Sequence, residues 1–317
     1  ALVGAEAAWL VTDSRYIEAA QKQAAPGVEV LLTTRERPLG AILRELADRL
    51  GIEKLGAEEE KLSHALYLRM ERTLGRELLP AQELLVSLRS CKTEEELRSL
   101  VAAQRIAEKA LEEVLPLLKP GAVEREIAAE ITYRMRLHGA EGNSFDPIVV
   151  TGAKSSMPHG VPGDERIAAG DFVTMDFGCV KDGYCSDMTR TVAVGSATDE
   201  MKNVYATVLA AQEAGIAAAR PGVTGAQIHG AAAKVISDAG YGAYFGHGFG
   251  HGVGLDIHEQ PNASPANEKP MPEGAVISAE PGIYLPGKFG VRIEDVLYLS
   301  GEGCVDITKA PKDLLIL

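Results

Sequence analysis

Two stretches of this chain, roughly a hundred residues apart, carry the same order of turns, helix stops and carboxylates, and that duplication restricts the fold more than any other feature. In the first stretch, Pro120-Gly121 leads into a helical segment stopped by Gly139, and Met157-Pro158-His159-Gly160 follows. Then come Gly170, Thr174-Met175-Asp176-Phe177-Gly178 and Tyr184-Cys185-Ser186-Asp187. The second stretch repeats Pro-Gly at Pro221-Gly222, Ile127 at Ile228 and the stop at Gly240. It continues with Asp256-Ile257-His258-Glu259, Gly274, Ser278-Ala279-Glu280-Pro281-Gly282 and Val291-Arg292-Ile293-Glu294-Asp295. A duplicated fold closing on itself across a pseudo-two-fold axis brings four carboxylates together, and such a cluster points to a metal site.

With 317 residues, 46% of them hydrophobic, the chain is long enough for two domains with separate cores. It has no run of about 18 apolar residues and no signal-peptide layout, so a cytoplasmic protein without a membrane partner is expected. The net charge of -13, with no concentrated basic face, argues against nucleic-acid partners. Four cysteines form no CxxC pair, and Cys179 and Cys185 read as reduced core thiols. The sequence begins at Ala1 without a methionine, while residues 8–11 already read as a strand, so a preceding segment is expected.

Residues 1–86 alternate short apolar strands (8–11, 28–32) with helical stretches such as 39–50, the pattern of a small α/β domain. Its one histidine, His64, reads as a helix-surface or packing residue. The second domain covers residues 87–317. Thr93 with Glu96 fits a capping box at the head of a helix, and 124–137 forms the next helix. Residues 206–219 and 223–239 repeat the pair. The runs Glu58-Glu59-Glu60 and Glu94-Glu95-Glu96 read as solvated helix faces.

Asp182-Gly183 suits the positive φ angles of a type I′ turn, and a two-residue turn there sets Asp176 opposite Thr189 and Gly178 opposite Asp187. Asp176 and Asp187 then share a face as diagonal neighbours. They are either solvent-facing acids on an edge hairpin or a buried pair; buried adjacent anions must bind metal, or one must take up a proton. Glu280 and Glu294 occupy the equivalent places in the second copy. Between the pairs, Gly246 to Gly254 holds five glycines in nine residues around His247 and His251, with His258 seven residues beyond His251. That density predicts an irregular strand in which the histidines converge. Oxygen-rich ligation with an imidazole suits hard or borderline divalent cations, two of which can share bridging carboxylates.

These strings closely resemble the pita-bread-fold metallopeptidases of family M24, over residues 90–310. The resemblance rests on Pro-His-Gly, Asp-Phe-Gly, Ser-Asp-Met-Thr-Arg-Thr, Gly-His-Gly-Phe-Gly-His-Gly-Val-Gly, Ile-His-Glu, Glu-Pro-Gly-Ile-Tyr and Arg-Ile-Glu-Asp. It implies an α+β fold: a pita-bread (creatinase/aminopeptidase) catalytic domain with internal pseudo-two-fold duplication, behind a small α/β N-terminal domain. It implies two divalent metal ions, manganese first and cobalt or zinc as alternatives, held by Asp176, Asp187, His251, Glu280 and Glu294. Asp187 and Glu294 would bridge the ions, which supply a hydroxide at neutral pH. Glu280 would pass the water's proton to the leaving nitrogen. His258 and His159 would bind substrate and stabilise the oxyanion or leaving nitrogen, His247 would line the leaving-residue side, and Arg292 would orient Asp176. Phe145, Tyr184 and Tyr284 are pocket-wall or core candidates.

The N-terminal domain and Pro-His-Gly look like the proline-specific branch, which implies small peptides with proline at the second position as substrates and a homodimer. Xaa-Pro dipeptidase (prolidase) is the first expectation and Xaa-Pro aminopeptidase the alternative. After Ile-His-Glu, where some dipeptidases carry a basic residue, this chain has Gln260-Pro261-Asn262, which leaves restriction to dipeptides open. Metal-free, creatinase-like hydrolysis and a non-catalytic binding protein are the remaining readings, and the intact ligand positions argue against both.

Overall fold

The duplication read from the sequence exists in the backbone. A computed structural model describes all 317 residues and divides into two units, Ala1–Val86 and Ser87–Leu317. No helix is long and apolar enough to cross a membrane.

The first unit is α/β. Strand Ala8–Thr12 lies between Leu2–Val3, antiparallel to it, and Val28–Leu32, parallel to it. Leu55–Ala57 and Leu78–Pro80 form a second, two-stranded parallel sheet. Helices Leu39–Arg49 and His64–Leu74 close a core of Trp9, Ile42, Leu46, Leu74 and Leu78. His64 is exposed at the start of its helix. Helix Gln82–Ser90 runs across the boundary between the units.

In the second unit, helix Glu94–Val114 begins with the complete capping box of Thr93 and Glu96 and pairs with helix Glu124–Leu137. Helices Asp199–Ala218 and Gly225–Asp238 form the second pair, the former starting seven residues before the expected 206 behind an N-cap at Thr198. The helix pairs cover two cores. Ile127, Ile131 and Met135 pack with Val173, Met175 and Met188 in one; Ile228, Ala232 and Ile236 pack with Ile277, Ala279 and Leu297 in the other. Matching tethers precede the second helix of each pair: Gly121 N–H donates to Ile167 O and Gly222 N–H to Met271 O, both at 2.8 Å. Gly139 and Gly240, which stop those helices, take φ of +98° and +86°, a region glycine enters without the steric cost a Cβ imposes.

Both hairpins hold their register but switch sheets midway. In the first, Phe172–Phe177 pairs with Met188–Ala193, placing Thr189 opposite Asp176 as expected, and Tyr184 pairs with Lys181 around Asp182 (φ +51°) and Gly183 (φ +79°). The ladder breaks at Gly178, where a Cβ would lie 1.8 Å from Ser186 O. In the second hairpin, Ala279 pairs with Asp295 and Gly282 with Arg292, and the break falls at Glu280-Pro281 and Ile293-Glu294. Three of the four carboxylates, Asp187, Glu280 and Glu294, therefore sit at the breaks, where the backbone turns from one sheet to the next. Such irregular points commonly re-aim side chains beside active sites.

Candidate metal centre

The breaks aim the acids of both hairpins into one cleft of about 540 Å³, whose lining includes Asp176, Asp187, His247, His251, His258, His159, Glu280, Arg292 and Glu294. Each metal-ligand and catalytic candidate read from the sequence lines this cleft, as do Phe145 and Tyr284 but not Tyr184. Ligand atoms of Asp187, His251 and Glu294 lie within 4.8 Å of one another. His251 Nε2 is 3.5 Å from Asp187 Oδ2 and 3.3 Å from Glu280 Oε1. Asp176 enters through Arg292, whose Nη2 donates to Asp176 Oδ2 at 2.5 Å.

The histidines converge because the glycine-rich segment allows close approach. Strand Gly250–Gly252 carries a register shift, as the glycine density predicts, and a Cβ on Gly250 would lie 1.9 Å from Ser278 O. Ser278 Oγ accepts from His251 N–H at 2.9 Å and donates to Glu280 Oε1 at 3.1 Å. His251 Nδ1 faces Gly252 O at 3.1 Å, which assigns the proton to Nδ1 and leaves Nε2 as an electron-pair donor toward the carboxylates. The His258 ring stands edge-on to His251, with centroids 4.2 Å apart.

Two residues beyond the sequence reading complete the scaffold. Thr189 Oγ1 donates to Glu294 Oε2 at 2.6 Å and accepts from Arg292 Nε at 3.0 Å, linking the hairpins. Arg190, behind the cleft, donates to Thr189 O, Glu294 O, Asp295 Oδ1, Ala310 O and Pro311 O. Thr189 and Arg190 lie within the Ser-Asp-Met-Thr-Arg-Thr string, so the signal was present and their roles were not. Tyr184, read as a pocket-wall or core residue, is not on the cleft and packs instead against the core cluster of Leu100, Cys185 and Val253. Its hydroxyl donates to Glu96 Oε1 at 2.8 Å, because its strand belongs to the sheet beyond the break and packs on helix Glu94–Val114. The same contact draws Glu96 from the solvated face, where Glu94 and Glu95 remain. Glu58 to Glu60 lie in a turn before helix His64–Leu74 and not on a helix face, and Glu59 accepts the N–H groups of Ala81 and Gln82.

Four carboxylates with one buried guanidinium carry an electrostatic penalty. Burial, reinforced by Glu294, Asp176 and Glu280, holds Asp187 well above the usual carboxylate range. Burial, then Glu280 and Asp176, raises Glu294 in the same way, and burial raises Glu280. Burial also pushes His247, His251 and His258 below the ordinary imidazole value, so each favours the neutral ring. Asp176 Oδ1 and Asp187 Oδ1 are buried without a hydrogen-bond partner. Orphaned anionic oxygens are costly unless a cation satisfies them, and an oxygen-rich set with one imidazole fits a divalent metal. Cys179 and Cys185 are buried free thiols, pushed by burial up to about 11 and about 12, and neither lines the cleft.

Residues 98–300 match the model of metallopeptidase family M24, and residues 1–91 match the creatinase/prolidase N-terminal domain. An uncharacterized peptidase of Bacillus subtilis is 40% identical over 321 residues, covering 100% of this chain and 89% of its own length. The structure of an Xaa-Pro dipeptidase from Bacillus anthracis matches with a TM-score of 0.95 and 41% identity, over 99% of this chain and 88% of that one. An X-Pro aminopeptidase from Thermotoga maritima matches with a TM-score of 0.94 and 37% identity, over 99% and 89% of the two chains. The α+β fold expected from the motifs is the one these matches share, and the chain belongs to metallopeptidase family M24.

Proposed function

We propose that this metallopeptidase hydrolyses the peptide bond before a proline at the second position, as an Xaa-Pro dipeptidase (prolidase). The observation that carries the reading is the convergence of four carboxylates and His251 beside a peptide-sized cleft. The cleft's apolar wall of Phe145, Pro147, Pro158, Pro162 and Ile257 suits a pyrrolidine ring. The Bacillus anthracis dipeptidase supports the same specificity.

In this reading Asp176, Asp187, His251, Glu280 and Glu294 hold two divalent cations, manganese first and cobalt or zinc as alternatives. When bound, such ions act as Lewis acids and lower the pKa of water toward neutrality. The chain's own groups do the rest. A carboxylate of Glu280 takes a proton from the attacking water and delivers it to the proline nitrogen, which has no N–H and must be protonated to leave. His258 and His159 donate to the carbonyl oxygen as charge develops on it. Arg292 fixes Asp176 by its 2.5 Å bond, and Tyr284, bonded to both Arg292 and His247, fixes the leaving-residue side. The working form is a cytoplasmic homodimer.

One observation favours a second reading, Xaa-Pro aminopeptidase. Arg292 is the only arginine or lysine lining the cleft, and four of its five N–H donors are engaged by Asp176, Thr189, Tyr284 and Pro158. Beyond this largely engaged guanidinium the cleft offers no lysine or arginine to a dipeptide's terminal carboxylate. Mass spectrometry of the manganese-loaded protein with Ala-Pro, Ala-Pro-Ala and a proline-free control separates the two. Cleavage of Ala-Pro supports the dipeptidase, release of alanine from Ala-Pro-Ala alone supports the aminopeptidase, and cleavage of neither overturns both.

A further inference from the structure

A charge cluster next to the cleft, built on a buried Glu259–Lys92 pair, has no place in the chemistry described so far. Glu259 follows His258 directly, and its side chain is only 7% exposed. Its Oε2 accepts from Arg89 Nη2 at 2.5 Å and from the Asp256 N–H at 3.3 Å, and its Oε1 accepts from Lys92 Nζ at 2.6 Å. Lys92 is itself buried, donates to Arg89 O at 2.7 Å, and is anchored through its N–H to Gly274 O. Arg89 also reaches Asp256 Oδ2 at 3.0 Å.

The backbone explains what this cluster holds. Gly252 pairs with Glu259, closing a loop that runs through Gly254, Asp256 and His258. The Glu259 carboxylate folds back into that loop, so that a Cβ on Gly254 would stand 2.3 Å from its Oε1. Gly254 O accepts from Cys185 N–H at 2.8 Å, which ties the loop to the hairpin two residues before Asp187. His258 thus leaves a loop whose centre is filled by one anion clamped between two cations. Both cations belong to the segment that follows the boundary at Val86.

We infer that Glu259 is a positioning residue: clamped by Lys92 and Arg89, it sets the place of the His258 imidazole against His251. The inference rests on the catalytic reading of His258 given above. A carboxylate fixed by one buried cation, Lys92, and one part-exposed cation, Arg89, resists the rotation that a loop held by backbone bonds alone would permit.

A double-mutant cycle tests it on Ala-Pro or whichever Xaa-Pro peptide the protein cleaves, with metal content measured alongside. Glu259→Gln is expected to lower kcat about 10- to 100-fold with KM within about 2-fold and metal content unchanged. In a His258→Ala background the same change is expected to cost less than about 2-fold, because the group being positioned is gone. Arg89→Gln, removing the outer cation, gives the same non-additivity with a smaller fall and serves if Glu259→Gln fails to fold. Equal losses in both backgrounds, a change confined to KM, or a loss of metal matching the loss of rate overturns the inference. If His258→Ala alone leaves turnover intact, the catalytic reading of His258 fails and the inference falls with it.

Discussion

Arg292 Nη2 lies 2.5 Å from Asp176 Oδ2 and joins the two hairpins, while the other oxygen of that carboxylate, Asp176 Oδ1, is buried without a hydrogen-bond partner. The guanidinium therefore orients Asp176 with one oxygen bound and the other left without a hydrogen-bond partner. Arg292→Lys keeps the charge and loses the fork that also reaches Thr189 Oγ1, Tyr284 OH and Pro158 O. It is expected to weaken metal binding or kcat/KM by about 10- to 100-fold. Metal titration with parallel kinetics checks this, and wild-type values in both would show that the fork is dispensable.

Asp187 and Glu294 stand above the usual carboxylate range, through burial first and then neighbouring anions. In the unfolded chain they return to ordinary values near about 4. Between that value and the raised ones, the metal-free folded chain binds more protons than the unfolded chain. Their contribution to stability is complete below about pH 4 and is lost as pH rises through the folded values. The metal-free protein is expected to melt at progressively lower temperature above about pH 7, where the depressed histidines, whose opposite slope ends near the ordinary imidazole value of about 6.5, no longer offset the carboxylates. Manganese should remove most of that slope, because ions replace the protons. Asp306, pushed up to about 6 by burial and by Asp295, leaves a smaller slope of the same sign that metal does not cancel. Melting curves at fixed ionic strength, with and without manganese, read both effects, and a flat metal-free profile would contradict the assignment.

Cys179 Sγ contacts Ala103 O at 3.3 Å in a buried site, and its thiol is pushed up to about 11. It lies three residues from Asp176 yet outside the cleft lining. Cys179→Ser is expected to retain full metal content, measured by elemental analysis, and the native protein is expected to react with thiol reagents at exposed Cys91 before Cys179. Metal loss in the variant would make the thiol part of the centre.

Where local chemistry decided the outcome, it could be read from the residues. Asp182-Gly183 can make only a few turns, and Thr93 with Glu96 specifies a helix start, so both were legible. The sequence pattern starts the helix ending at Ala218 at 206, whereas the structure starts it at Asp199. Asn203, Val204 and Tyr205 are weak helix formers, and burial of Val204 and Tyr205 overrides that weakness. The breaks at Gly178 and at Glu280-Pro281 were not legible, because a change of sheet depends on what each strand meets across the pseudo-two-fold axis. That is why Tyr184, open in the sequence between pocket wall and core, takes the core role. The clamp on Glu259 was hidden differently, since Arg89 and Lys92 are about 170 residues away from it in sequence.

Glu294 gives the most direct test of the central claim. It sits at a hairpin break, accepts from Thr189 Oγ1 at 2.6 Å, and lies with Asp187 and His251 in the tightest group of donor atoms. Metal content per chain should be measured by elemental analysis for the wild-type protein and for Glu294→Ala after identical manganese loading, together with Xaa-Pro cleavage. The account predicts two ions per wild-type chain, and loss of metal and activity together in the variant. Full metal occupancy in Glu294→Ala would contradict it.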